Sequence, residues 1–160
     1  MSTSSTAVDE LMDVLVAGGL ISAEGVRGCT GDEVARMLAT NPSVDPPQEY
    51  IDFLRRPGRG AGRVLRGTSI FYPESLEAHD GAIELAEVDV PDFRVRDRFF
   101  IGHHQGDIHH FFEKDDPRPW AYVEGKDRSV VESDSMSGLL RMDVESLRER
   151  ERAARDRRRS

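Results

Sequence analysis

Four histidines within eight residues are the first candidates for chemistry. They form two adjacent pairs, His103-His104 and His109-His110. Imidazole is a common ligand of zinc and copper, but neighbouring residues on a strand point to opposite faces of a sheet. With Gln105-Gly106 as a two-residue turn, His103 shares one face with His110, and His104 shares the other with His109. Neither pair has further ligands nearby in sequence, so we expect no metal and no other cofactor.

A glycine-rich segment, residues 58–62, is superficially similar to a phosphate-binding loop. Such loops lead from a strand into a helix, so that the helix N-terminus faces the anion. Here the predicted order is helix, glycines, strand, which favours a helix stop over a phosphate site. The arginines around this loop make a local basic spot that is either solvated or complementary to an acidic partner: Arg55, Arg56, Arg59, Arg63 and Arg66.

The other reactive side chains do not form a recognisable catalytic set. Cys29 is the single cysteine, and no histidine lies near it in sequence. Asp115 and Asp116 are adjacent and precede Pro117, which is typical of a turn rather than of an acid–base pair. We therefore expect a protein that is not an enzyme and has no catalytic residues.

Charge is distributed unevenly between residues 1–140, the body of the chain, and the C-terminal residues 141–160. The 160 residues carry a net charge of −8, yet residues 141–160 carry eight arginines against five acidic residues. The remaining residues are therefore strongly acidic, which disfavours nucleic acid and favours a basic partner. The tail arginines alternate with acidic residues and have no aromatic neighbour for base stacking, so we expect no nucleic-acid partner. No apolar run is long enough for a membrane span, and the single cysteine and the lack of a signal segment predict a cytoplasmic protein with no membrane partner. We also expect a monomer.

The first half of the chain has helical patterns. Residues 8–17 have apolar side chains at helical spacing, and Thr30 with Glu33 predicts a capping box for a second helix. A third helix is expected from Asp45-Pro46-Pro47, followed by a short strand at 63–66. Another helix is expected at residues 74–88. The buried face of the third helix should hold Tyr50, Ile51, Phe53 and Leu54.

After residue 98 the spacing changes to that of strands. The runs 99–104, 108–113 and 120–124 are short, rich in aromatic and branched residues, and separated by turn residues, and 129–132 is a further strand candidate. Helical spacing returns at 135–147. The prediction is a single α+β domain, a central antiparallel β-meander packed by N-terminal and C-terminal helices. One sheet face should be covered by helices and the other left wet or used for binding. Residues 148–160 are a solvated helix extension or a disordered tail.

Several segments in this order resemble a known family. They are Thr30-Gly-Asp-Glu-Val, Pro47-Gln-Glu-Tyr50-Ile-Asp-Phe53-Leu54, Arg63-Val-Leu-Arg-Gly67, Arg98-Phe-Phe-Ile-Gly102, Gly106-Asp-Ile-His-His-Phe-Phe112 and Pro119-Trp-Ala-Tyr-Val123. This pattern is similar to that of the SUKH superfamily of Smi/Knr-type domains. The resemblance divides the chain into an N-terminal helical extension at 1–27, a SUKH-like domain at 28–147 and a charged tail at 148–160. Pro46 departs from the family's usual Leu before Pro47.

The resemblance implies a protein-binding role without catalytic residues. The family includes bacterial immunity proteins, which bind and neutralise polymorphic toxins, often nucleases, and an acidic body would suit a basic toxin domain. The alternatives are a cytosolic scaffold or regulator of the same superfamily and a histidine-dependent metal protein. We place the interface on acidic and aromatic residues around the meander, although Trp120 and Tyr122 are also reasonable core residues. The predicted set is Glu113, Asp115, Asp116, Trp120, Tyr122 and Glu124.

Overall fold

The structure is a computed structural model that describes residues 5–104, 108–124 and 129–159. In chain order the helices are α1 (Ala7–Ala17), α2 (Gly31–Leu38), α3 (Gln48–Arg55), α4 (Ala78–Glu84) and α5 (Met136–Arg159). The strands are β1 (Val26–Arg27), β2 (Gly60–Ala61), β3 (Thr68–Ser69), β4 (Arg98–His104), β5 (Ile108–Glu113), β6 (Pro119–Val123) and β7 (Ser129–Val131). A 3₁₀ turn at Glu74–Glu77 leads into α4, and a π-helical turn at Leu85–Asp89 follows it.

Side-chain caps fix the starts of the first two helices. The Thr30 hydroxyl accepts a hydrogen bond from the Glu33 backbone N–H, and the Glu33 carboxylate accepts one from the Thr30 N–H. This is the predicted capping box, and Thr6 with Asp9 forms a second one at α1. Each box satisfies backbone donors that have no partner within the helix. The third helix is present but begins at Gln48, with Pro47 as its N-cap, so Asp45, Pro46 and Pro47 precede the helix instead of forming its first turn as predicted.

The central sheet is an antiparallel meander, so the predicted α+β fold class is confirmed. Its five strands lie in the order β3-β4-β5-β6-β7, each paired with its neighbour in sequence. Phe99 lies opposite Phe112 and Phe100 opposite Phe111, with a bulge at Ile101. A separate two-stranded ribbon joins β1 to β2.

Both faces of the sheet are covered, which corrects the expectation of one wet face. On one face, Phe99, Ile101 and Phe112 belong to a core shared with α1, α2, α3 and α5. On the other face, Phe100 and Phe111 pack in a second core, whose remaining members come from α4 and its surroundings. These are Ala78, Ala82, Leu85, Phe93 and Tyr122. The chain between β3 and β4 returns across the sheet, so two successive phenylalanines on β4 are buried in opposite directions.

The predicted strand at 63–66 is wrong. These residues form turns between β2 and β3, which are each two residues long. Leu65 has a φ of 57°, which interrupts extended backbone. Val64 and Leu65 are nevertheless buried, so their apolar character reflects core packing rather than a place in the sheet.

Helix α5 continues well past the predicted end at Leu147. Its buried residues lie between Met136 and Leu147, whereas from 148 onward most side chains are exposed. The charged tail is therefore an extension of this helix, the first of the two predicted forms. None of the helices in the described residues combines the length and apolar character that a membrane span requires.

Candidate functional site: an aromatic cleft beside an acidic stripe

The candidate site is an open cleft of about 830 Å³. We call it the aromatic cleft, because β6 contributes the rings of Trp120 and Tyr122 and the segment before β4 contributes that of Phe93. Its lining residues are Val90, Asp92, Phe93, Arg94, Arg98, Glu113, Lys114, Asp116, Trp120, Tyr122 and Ser129.

The structure brings four of the six predicted interface residues together in this cleft. They are Glu113, Asp116, Trp120 and Tyr122. Asp115 and Glu124 do not belong to the described lining: Asp115 is exposed in the turn after β5, and Glu124 is half-buried just after β6. Turn geometry separates Asp115 from Asp116, because Asp115 has a φ of 61° and its neighbour turns back toward Trp120.

Asp116 holds one wall of the cleft. Its carboxylate accepts hydrogen bonds from the Trp120 indole N–H at 3.0 Å and from the Arg118 guanidinium at 2.9 Å. These donors, with the Arg118 side chain first, lower the pKa of Asp116 from its ordinary 3.8 to about 2. The guanidinium carbon of Arg118 also lies 5.6 Å from the centroid of the Trp120 ring. Trp120 is therefore fixed in place while remaining partly exposed to a ligand.

Arg98 and Glu113 form the base of the cleft. The Glu113 carboxylate accepts hydrogen bonds from Arg98 at 2.5 Å and from Arg94 at 2.7 Å. The Arg98 guanidinium lies 4.4 Å from the centroid of the Phe111 ring. Burial lowers the pKa of Arg98, and the contact with Glu113 opposes that shift. The buried charge is therefore paired and stacked, and it orders the aromatic residues beneath the cleft.

Tyr122 belongs to the core and not to the exposed wall. It is only 4% exposed, and its ring centroid lies 4.7 Å from that of Phe93. Of the two aromatic residues in the predicted set, only Trp120 therefore presents a substantial exposed surface.

The charges of the cleft are balanced. Asp92, Glu113 and Asp116 are offset by Arg94, Arg98 and Lys114 within the same lining. The acidic character of the molecule must therefore lie elsewhere. The predicted acidic residues of the meander therefore do not account for the net negative charge of the molecule.

The negative charge is concentrated on the segment that covers the second sheet face. Between residues 74 and 92 there are seven acidic residues and no Lys or Arg, and all seven are exposed. In the described part of the chain none of them takes part in an ion pair. We call these residues the acidic stripe: Glu74, Glu77, Asp80, Glu84, Glu87, Asp89 and Asp92.

Helical spacing makes the stripe a continuous surface. Its first five members follow one another at intervals of three or four residues, which places them on one side of a helix. The opposite side carries Ala78, Ala82 and Leu85, which pack on the sheet. Asp92 and Val90 line the aromatic cleft, so the stripe leads directly into it. The acidic run is continuous in the sequence, although the net charge of the body as a whole does not reveal it.

The second half of the stripe, from Glu84 onward, is unfavourable for the isolated fold. Like charges three or four residues apart on a helix destabilise it by about 0.2–0.5 kcal/mol per pair. Glu84 ends α4 and Glu87 lies in the following π-helical turn, where negative charge opposes the helix dipole. Positive charge supplied by a partner would relieve both effects.

The histidines pair differently from the prediction. His103 lies opposite His109, and His104 lies opposite Ile108. The predicted turn at Gln105-Gly106 lies outside the described residues, but the pairing beside it is shifted by one position. That shift exchanges the faces, so His103 shares a face with His109. His104 and His110 line a common cavity on the other face.

The remaining reactive groups show little activation. Burial, with a contribution from Glu33, raises the pKa of the Cys29 thiol to about 11, which keeps it protonated and weakly nucleophilic. Within residues 5–104, 108–124 and 129–159, no three or more His, Cys, Asp or Glu side chains are grouped so as to hold a metal ion.

The basic spot around the glycine loop is largely neutralised. Arg56 pairs with Asp9 and Asp13, Arg59 pairs with Glu33, and Arg63 pairs with Glu151. These contacts join α1, α2 and α5 to the loop. The three paired arginines act as connections within the fold, whereas Arg55 and Arg66 are exposed and form no ion pair within the described residues.

In comparisons with known proteins, no family model, no curated protein and no solved structure matched the chain. The SUKH resemblance therefore rests on the residues quoted for it and stays a prediction.

Proposed function

We propose that the protein is a non-catalytic binding domain that captures a basic protein partner through the acidic stripe. The observation that carries this proposal is the set of seven exposed carboxylates between Glu74 and Asp92, none of which forms an ion pair within the described residues. A surface of one sign steers an oppositely charged partner and accelerates its capture.

The aromatic cleft provides the anchor beside this charged surface. Trp120 is partly exposed and held by Asp116, so it loses little freedom when a partner packs against it. Tryptophan is also enriched among the residues that dominate binding energy at interfaces. Lys114 is exposed and makes no ion pair in the described part of the chain, which suits an acidic group of the partner at the cleft rim.

Within this role we place the protein in the immunity branch that the SUKH resemblance implies. Its partner would be a basic toxin domain, and a nuclease fits well because a nucleic-acid cleft is itself positively charged. Binding of the acidic stripe would occlude such a cleft. The same charge disfavours direct contact with nucleic acid, and capture would take place in the cytoplasm.

A second candidate is a scaffold or regulator that docks through α5. This helix extends 12 residues past Leu147, or about 18 Å at 1.5 Å per residue. Seven of these residues are arginines and three are acidic, so the extension would favour an acidic partner. The sign of the partner's charge separates the two candidates.

The deciding experiment is a pull-down from the source organism with the tagged full chain as bait, at low and high salt. Mass spectrometry identifies what is retained. Recovery of a basic protein at low salt, with less at high salt, is the expected result. Co-expression should then restore growth to cells that produce that protein. Recovery of acidic housekeeping proteins would instead favour the scaffold, and failure to restore growth would remove the immunity role.

A further inference from the structure

A pocket of about 350 Å³ lies between the end of α1 and the outer part of α5. The turn after α1 contributes Gly18, Gly19 and Leu20 to its lining, and four arginines and one glutamate complete it. Among the described residues, none lines both this pocket and the aromatic cleft, and none of the lining belongs to the acidic stripe. We call it the arginine pocket, after its charged members Arg63, Arg148, Glu151, Arg152 and Arg155.

The charge of the arginine pocket is not balanced. Glu151 pairs with Arg63. The other three arginines form no ion pair in the part of the chain that the structure describes: Arg148, Arg152 and Arg155. They follow one another at intervals of four and three residues on α5, so they share one side of the helix, where like charges repel. A bound anion would relieve this repulsion.

The end of α1 does not account for these arginines. Basic side chains near a helix C-terminus can cap its last carbonyls. In α1, however, the carbonyls of Val14, Leu15 and Val16 already accept hydrogen bonds from backbone N–H groups of residues 18–20, at 2.9, 3.0 and 3.1 Å. Gly19 has a φ of 76°, the left-handed conformation that closes a helix in this way. The arginine side chains are therefore available to a ligand.

The chemistry of the pocket favours an extended phosphate anion. A guanidinium group presents paired N–H donors that match phosphate oxygens, and it stays charged at physiological pH. Arg148 and Arg155 are about 10 Å apart along the helix axis, at 1.5 Å per residue, so an anion that extends along α5 contacts more arginines than a single phosphate does. Leu20 is the only apolar side chain in the described lining apart from the glycines, so a nucleobase would find no ring to stack on.

We propose that the arginine pocket binds a short polyphosphate, an anion with two or more linked phosphate groups and no aromatic base. The phosphate oxygens accept hydrogen bonds from Arg148, Arg152 and Arg155, and Arg63, held by Glu151, adds positive charge. The volume is at the lower end of the range for ligand sites, about 300–1,000 Å³, which suits a ligand of this size. This site does not depend on the proposed function.

The test compares anions by NMR on the ¹⁵N-labelled full chain. Tripolyphosphate, inorganic phosphate and tricarballylate, which carries three carboxylates, are titrated separately at constant ionic strength. We expect saturable shifts at the amides of residues 18–20 and 148–155 with tripolyphosphate, and about tenfold weaker binding of the other two anions. Equal binding of tricarballylate, or shifts that do not saturate, would overturn the proposal. Tighter binding of a single-stranded oligonucleotide at the same amides would also overturn it, in favour of a nucleic-acid site.

A matched pair of variants tests the assignment of residues. Arg152→Gln removes the central charge of the row on α5, so the affinity for tripolyphosphate should fall about tenfold. The control is Arg150→Gln, which removes the same charge from the same exposed part of α5 but lies outside the lining of the pocket. Glutamine is about as good a helix former as arginine, so both variants should fold. An equal loss of affinity in both would mean that α5 attracts anions through net charge alone, which would contradict the site.

Discussion

At the level of single residues, Asp116 links the cleft geometry to a measurable pH dependence. Its carboxylate accepts from Arg118 and Trp120, which lowers its pKa to about 2 from 3.8. A depressed pKa means that the folded state favours the charged form. Its contribution to stability is therefore present above pH 3.8 and is lost as the pH falls through about 2.

The corresponding variant is Asp116→Asn. It should lower the free energy of unfolding at neutral pH by about 1 kcal/mol or less, because Arg118 is nearly half exposed and such pairs are weak. Urea unfolding from neutral pH to pH 2 should show the difference from wild type shrinking below pH 4. A difference that stays constant over this range would mean that the carboxylate charge plays no part.

Residue types in the sequence pointed to part of the candidate site. The clustering of aromatic and acidic residues near one hairpin predicts Trp120, Asp116 and Glu113 as site residues, and the three do line one cleft. Their ionic partners were not predictable in the same way. Arg98 reaches Glu113 because the two residues lie opposite each other on β4 and β5, so the contact depends on the register of the sheet. Arg94 reaches Glu113 only because the chain before β4 folds against β5, and that approach depends on tertiary packing.

At the level of elements, the close approach of β4 to the backbone of Ser69 and Ile70 leaves no room for a side chain at Gly102. A Cβ added there would lie 2.5 Å from the Ser69 carbonyl oxygen and 2.8 Å from the Ile70 Cα. Both are backbone atoms, so they cannot move aside as a side chain would. Gly102→Ala should therefore destabilise the fold by about 1–3 kcal/mol, the usual effect of overpacking.

The matched control is Gly81→Ala in α4. A Cβ at this position meets nothing within 4 Å, and alanine is the better helix former, so stability should rise by roughly 0.5–1 kcal/mol. Urea unfolding of both variants checks the pair. Equal and small effects would show that β4 does not approach Ser69 and Ile70 as closely as the structure has it.

Local signals predicted elements better than they predicted sheet details. Capping boxes and turn residues act over three or four positions. The capping box at Thr30 predicts the start of α2, and the turn residues predict the strands of the meander. The faces of the sheet depend on register, where a shift of one residue reassigns every side chain. That is why the histidine pairing was wrong. The second covered face was missed because the approach of α4 to the sheet leaves no local mark in the sequence.

At the scale of the whole molecule, different surfaces carry different net charges. The acidic stripe carries −7 on one side, while the cleft next to it is balanced and the end of α5 is basic. A composition of −8 does not reveal this arrangement. The pattern suits a protein that gives up some stability to hold a charged surface ready for a partner.

A neutralised stripe should consequently be at least as stable as the wild type. The triple variant Glu84→Gln, Glu87→Gln, Asp89→Asn removes like-charge repulsion and unfavourable contacts with the helix dipole. Urea unfolding at low salt should show an increase of a few tenths of a kcal/mol, roughly the value of one such pair. A clear loss of stability would mean that these carboxylates support the fold.

The control with the same change in charge is Glu24→Gln, Asp45→Asn, Glu145→Gln. All three residues are exposed, lie outside the stripe and, within the described residues, form no ion pair. Any effect of net charge alone should appear equally in both triple variants.

The most direct test of the account is a low-salt pull-down with three baits: the wild type, the stripe variant and the control variant. We expect the wild type and the control to retain the same basic protein, and the stripe variant to lose it while remaining folded. Equal retention by all three baits would contradict the proposal that the acidic stripe is the binding surface.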